Sequence, residues 1–221
     1  MINIGIVGCG KWATILINEI NKSSKFNLTS IVCRKKKIFP SKINVFSNVN
    51  EMLVNGDIDC VFVAANPNLN LEVIKLLKKK KLPTILEKPL ANNYESAKDI
   101  QKWAVDNNVI LYPNLPNYFS ETFIKLKQIL QKNYREISKI IVYEGDFGPF
   151  RENIHPIWDW GFHSISLLFL LFKNINLSNV RNFEIKANDD FGRGLVTKFE
   201  FKIEKNISVK VLNGNLFNKK L

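Results

Sequence analysis

The stretch that most constrains this chain is its start, Met1 to Thr14. Ile2, Ile4, Ile6 and Val7 form a short, mostly β-branched run that stops at Gly8. Such a run reads as a strand buried on both faces of a parallel sheet. Gly8-Cys9-Gly10-Lys11-Trp12-Ala13 follows, the pattern G-x-G-x-x-A, and then an apolar helical pattern through Ile15, Leu16, Ile17 and Ile20. Strand, glycine turn and helix in this order make the first half of a dinucleotide-binding βαβ unit. Gly8 allows the tight turn. Gly10 lets a pyrophosphate approach the backbone, and Ala13 keeps the helix close to the strand. The first N–H groups of the helix, with its dipole behind them, suit the anion. Lys11 and Trp12 lie at the same turn and are assigned to the cofactor with it.

Leu28 to Cys33 reads as the second strand, followed at once by Arg34-Lys35-Lys36-Lys37. An NAD-preferring fold places an acidic residue here for the ribose 2′-hydroxyl. Cys33 and Arg34 stand there instead, and an arginine fork can grip a 2′-phosphate. NADP is therefore favoured over NAD, with a plain solvated loop as the other reading. The formal net charge of +12 admits nucleic acid, a membrane surface or lysine-rich solvated helix faces. The densest run, Lys78 to Lys81, closes an expected helix without any nucleic-acid motif, so neither nucleic acid nor membrane is expected as a partner. The apolar run Ile165 to Phe172 is too short to span a bilayer. No secretory leader is read at the start. Cys9, Cys33 and Cys60 sit at or beside strand ends without metal-type spacing, so no metal is expected. They read as reduced thiols of a cytoplasmic protein.

Strands are expected at 45–46, 60–65, 83–86 and 109–112, with helices between them, which is a doubly wound parallel sheet. Asn66-Pro67-Asn68 ends one strand as a loop on the cofactor edge, and Glu87-Lys88-Pro89 ends the next. From Phe119 the pattern changes. A helix is expected over 123–130, a strand over 137–143 and an apolar helix over 156–172. Further strands follow at 180–187, 194–203 and 207–212, with turns at Asn188-Asp189-Asp190 and Lys205-Asn206. Three late strands in succession suggest an antiparallel portion. The expected fold is α/β: an N-terminal Rossmann domain over 1–117, then a shortened α+β domain with a mainly antiparallel open sheet over 118–221.

Asp159 and His163 are four apart, which on a helix puts them on one face. A carboxylate beside an imidazole suits proton transfer near neutral pH. The other reading is a core histidine and a helix-start aspartate. Taken together, Gly8-x-Gly10-x-x-Ala13, Asn66-Pro67, Glu87-Lys88-Pro89-Leu90-Ala91 and Asp159-x-Gly161-x-His163 resemble the glucose–fructose oxidoreductase / inositol dehydrogenase (Gfo/Idh/MocA) family. The stretch from His155 to His163 looks most like members of sugar and nucleotide-sugar metabolism.

The resemblance implies an NAD(P)-dependent enzyme that moves a hydride at a sugar, nucleotide-sugar or polyol carbon. Lys88 would orient the reacting hydroxyl, His163 would act as base or acid, and Asp159 would hold the hydroxyl or tune His163. Asn66, Pro67, Glu87 and Lys88 would belong to the cofactor side, and Asn114 and Trp160 to the substrate side. Arg151 is read either as gripping a substrate carboxylate or phosphate or as a surface ion pair. The family's second sheet often carries the oligomer interface, so a homo-oligomer through that sheet is the expected assembly. Relatives run on well past the position of Leu221, so the chain reads as a C-terminally short member. A non-catalytic NAD(P)-binding sensor or partner subunit is the alternative.

Overall fold

The computed structural model describes residues 1–35, 38–40, 42–148, 155, 157–172, 175, 178–189, 192–203 and 207–217. The chain divides into two compact units, Met1–Asn114 and Leu115–Leu221.

The first unit is a six-stranded sheet in the order β3-β2-β1-β4-β5-β6. Its strands are β1 (Ile2–Val7), β2 (Phe26–Val32), β3 (Asn44–Phe46), β4 (Cys60–Val63), β5 (Thr84–Leu86) and β6 (Leu111–Pro113). Every pair is parallel. The strand order reverses between β1 and β4, the position at which open α/β sheets bind ligands beyond their carboxyl ends. Helices follow β1, β3, β4 and β5: α1 (Lys11–Lys22), α2 (Val49–Asn55), α3 (Asn70–Leu77) and α4 (Tyr94–Asp106). Apolar side chains fill both faces of the sheet. Ile4, Ile6, Leu28 and Ile31 pack with Ala13 and Ile20 of α1. Val61, Val63 and Leu86 pack with Met52, Ile74 and Ile100 on a second cluster. Each such side chain, fully buried, contributes roughly 1.5–3 kcal/mol. Helix starts are capped from the sequence: the Asn48 side chain accepts from Glu51 N–H, and that of Asn93 from Ser96 N–H.

The second unit holds α5 (Glu121–Asn133), β7 (Lys139–Gly145), a π-helical turn at Ile157–Gly161, α6 (Phe162–Leu171), β8 (Ser178–Asp189), β9 (Gly192–Ile203) and β10 (Ile207–Gly214). Its sheet runs β7-β10-β9-β8. β8, β9 and β10 pair antiparallel, and β7 joins β10 in parallel. Leu168 and Phe172 cover one face, against Phe201, Ile203, Ile207, Val209 and Val211. Two expectations are corrected here. Asn188 and Asp189 are not a turn: β8 continues through them, paired with Arg193 and Gly192. Local turn propensity yields to cross-strand pairing. The helix expected over 156–172 opens with the π-helical turn Ile157–Gly161 before α6 begins at Phe162. The expected turn at Lys205-Asn206 lies outside the described residues.

Candidate functional site

β1 delivers the chain into the glycine turn. Gly8 N–H donates to Val32 O (3.0 Å), so the turn stays attached to β2. Gly8 has φ +114°, and a Cβ there would meet Ala64 O at 2.4 Å. Only glycine fits that backbone and that approach. Gly10 is different: it caps α1 in an extended conformation without a side-chain cap, and a Cβ there would meet nothing within 4 Å. Open space therefore lies above the uncapped first N–H groups of α1, whose first turn carries no acidic residue. These are the features a pyrophosphate requires, so the residues present fit a dinucleotide.

The turn opens onto a cleft of about 1040 Å³ lined by Gly8, Gly10, Lys11, Arg34, Lys35 and Asn66, among others. Five of the sequence-assigned cofactor residues thus share one cavity. Ala13 is fully buried beneath it, while Trp12 is half exposed. Cys33 is buried at the end of β2. Pro67 opens a short 3₁₀ turn whose start is fixed by Asn66 Oδ1 accepting from Asn68 N–H (3.1 Å). Sequence reasoning missed the loop Ser47-Asn48-Val49-Asn50, which lines the same cleft. Its signal was present as a capping box. Glu51 reaches back to the Ser47 N–H (3.1 Å) and hydroxyl, which hold its carboxyl below the usual range.

Cys9 and Cys33 are joined by a disulfide, with Cα atoms 5.3 Å apart. This corrects the reading of three reduced thiols. Parallel pairing of β1 with β2 brings two residues that are 24 apart in sequence to one sheet edge. Cys60 alone is free, and burial pushes its thiol up.

At the end of β5, Glu87 is buried and its N–H donates to Val63 O (2.9 Å). Asn114 donates its side-chain N–H to Glu87 Oε1 (2.5 Å) and its backbone N–H to Leu86 O (2.7 Å). Asn114 therefore holds the lysine loop through Glu87. Burial raises the Glu87 carboxyl, opposed by that hydrogen bond and by the Lys88 charge. The Lys88–Pro89 peptide is cis.

In the second unit the π-turn carries Asp159, Trp160 and Gly161, and α6 carries His163. Asp159 and His163 are both partly exposed. π-turns inserted at a helix start recur at functional sites. A Cβ on Gly161 would meet Ile157 Cγ1 at 3.0 Å and Asn213 Nδ2 at 3.1 Å. The glycine of D-x-G-x-H thus packs tightly on β10, and a side chain there would push Ile157 or Asn213 aside. Among the described residues, Trp160 Nε1 and both amide atoms of Asn213 are buried without a hydrogen-bond partner. The other histidine has two local contacts. His155 Nδ1 accepts from Ile157 N–H (3.2 Å), and its Nε2 lies 3.3 Å from Glu184 Oε1. Arg151 lies outside the described residues.

The family model described as an oxidoreductase family with an NAD-binding Rossmann fold, GFO_IDH_MocA, matches residues 2–115. The chain belongs to this family. Among curated relatives it is 24% identical over 135 residues to the uncharacterised oxidoreductase C115.03 of Schizosaccharomyces pombe. That match covers 58% of this chain and 36% of the relative. It is 26% identical over 138 residues to scyllo-inositol 2-dehydrogenase (NADP(+)) IolU of Bacillus subtilis, covering 60% of this chain and 42% of that protein. These matches therefore span less than half of those relatives' lengths. Among solved structures, a dehydrogenase from Chromobacterium violaceum superposes with TM-score 0.82 at 19% identity, over 98% of this chain and 66% of that one. A scyllo-inositol dehydrogenase from Lactobacillus casei, with NAD(H) and scyllo-inositol bound, gives 0.78 at 16%, over 97% and 69%. These likenesses are of fold. Among the described residues, no helix is long and apolar enough to cross a membrane.

Proposed function

We propose that the chain is an NAD(P)-dependent oxidoreductase that moves a hydride between the nicotinamide ring and the hydroxyl-bearing carbon of a sugar, nucleotide sugar or polyol. The observation that carries this reading is the cleft above Gly10, open where a pyrophosphate would lie and backed by the free N–H groups of α1. When bound, the dinucleotide supplies the hydride chemistry itself.

The chain's own residues do the rest. Gly8 and Gly10 shape the turn, and α1 holds the diphosphate. Arg34 and Lys35, both on the cleft, favour a 2′-phosphate and hence NADP. Lys88, steadied by the Glu87–Asn114 hydrogen bond, orients the substrate hydroxyl and favours its alkoxide-like form. His163 takes or gives the hydroxyl proton, and Asp159 orients it. Arg151 and Trp160 belong to the substrate side. This reading has Met1–Asn114 as the cofactor domain and Leu115–Leu221 as the substrate and assembly domain, working in the cytoplasm. Exposed Ile141 and Tyr143 on β7 and Phe183 on β8 support self-association through that sheet. The polyol class draws on the inositol dehydrogenases among the relatives.

A panel of inositols, sugars and nucleotide sugars, followed at the reduced-nicotinamide absorbance band, tests the reading. Turnover with one of them, lost in both Lys88→Ala and His163→Ala, is the expected result. Tight NADPH binding with no turnover on any substrate would favour the non-catalytic alternative.

A further inference from the structure

Cys9 lies between the two glycines of the turn, and Cys33 lies where β2 hands the chain to Arg34 and Lys35. Their disulfide ties the pyrophosphate-binding end of the cleft to its ribose-binding end. We propose that this bond is a thiol–disulfide control on dinucleotide binding, with the disulfide form binding tightly and the dithiol form weakly. The proposal rests on the dinucleotide reading of the cleft.

The disulfide form is compatible with the ligand. The cleft of about 1040 Å³ stands open with the bond in place, and neither Cys33 nor its sulfur bridge fills the space above Gly10. The bond therefore borders the site without filling it. Cys9 packs against the cluster under α1 and itself lines the cleft. Gly8 and Gly10 carry no side chains, and Gly10 offers α1 no side-chain cap. The Gly8 N–H bond to Val32 O and the Cys9 bridge hold it to β2.

Two thiols cannot remain as close as two bonded sulfurs. Reduction therefore moves the two sulfurs apart and releases the covalent tie that holds the N–H groups on either side of Cys9 to the end of β2. A site whose donors are preset loses affinity when they must be ordered on binding.

The chemistry balances with a dithiol reductant. Its thiolate attacks the sulfur of Cys9, which is the more accessible of the two: Cys9 is partly exposed and Cys33 is buried. The Cys9–Cys33 bond breaks, and the electron pair leaves on Cys33, where Arg34 and Lys35 favour negative charge. The second thiol of the reductant then displaces Cys9 from the mixed disulfide. The protein gains two electrons and two protons, and the reductant becomes a cyclic disulfide. Oxidation by a disulfide compound such as oxidised glutathione reverses the sequence.

The test uses the whole chain in two states, one treated with oxidised glutathione and one with dithiothreitol, each freed of reagent before use. Thiol titration after denaturation is expected to give one free thiol, Cys60, in the first state and all three cysteines in the second. NADPH titration by tryptophan quenching is expected to give a Kd about three- to tenfold weaker in the reduced state. Cys9→Ser and Cys33→Ser are each expected to show the weaker Kd whatever the treatment. Three free thiols in the oxidised sample would overturn the proposal. So would an equal Kd in both states of the native chain, or serine variants that bind as tightly as the oxidised protein. Binding in neither state would instead overturn the dinucleotide reading, and the control with it.

Discussion

β1 and β10 each run through the middle of a sheet, yet they carry their side chains differently. In β1, Ile4 to Val7 are buried in succession, because helices cover both faces. In β10, buried and more exposed residues alternate, because α6 covers one face. The contrast extends to what the proposed reading asks of each region. Past β1 it asks for backbone, a glycine turn and a helix N-terminus on a cleft, to hold the diphosphate. At Lys88 and on the π-turn and α6 it asks for side chains to handle the substrate. A backbone-made site fails when a side chain is added, whereas a side-chain-made site fails when one is removed.

The largest effect is expected from removal. Lys88→Ala and His163→Ala should each lower kcat by about 10²–10⁴-fold and leave the NADPH Kd within about twofold. A large rise in that Kd for His163→Ala would assign it to the cofactor and break the contrast. Addition comes next. Gly8→Val forces a β-branched residue to φ +114° against Ala64 O. It should cost about 1–3 kcal/mol or more and lower the unfolding midpoint reported by Trp103 in the first unit's core.

Gly161→Ala adds a methyl beneath the side-chain site, against Ile157 and Asn213. It should shift the π-turn and cut kcat about ten- to a hundredfold with NADPH binding intact. The same change weakening NADPH would mean that the two sites are not separable in this way.

These particulars also show what was legible in the sequence. The Gly8 turn was readable because a strand buried on both faces has no polar alternation and ends abruptly at glycine. The strands β9 and β10 were readable from alternation. The π-turn was not, since Asp159 and His163 suit an α-helix four apart equally well. Gly161 packs at that turn on Asn213, a residue 52 positions later. The Cys9–Cys33 bond was hidden for the same reason: its partners meet only through the β1–β2 register. Asn114 was assigned to substrate, but its grip on Glu87 depends on β5 lying beside β6.

The smallest effect concerns that grip. Burial holds the Glu87 carboxyl above its ordinary 4.5, so the folded chain favours the protonated form. Its contribution to stability is complete below pH 4.5 and is lost as pH rises through the raised value. Glu87→Gln keeps an acceptor for Asn114 and removes the charge. Urea midpoints should then fall less between acid and neutral pH than in the native chain. An unchanged slope would mean that Glu87 titrates as an exposed carboxylate.

The central claim is that the space above Gly10 belongs to a pyrophosphate, and Gly10→Val tests it most directly. A Cβ there meets no protein atom within 4 Å, and the poorer cap costs about 1 kcal/mol, so the variant should fold and melt within a few degrees of the native chain. Calorimetric titration with NADPH should show saturable 1:1 binding to the native chain, tighter than NADH, and none to the variant. A folded Gly10→Val that binds NADPH as the native chain does would contradict the account.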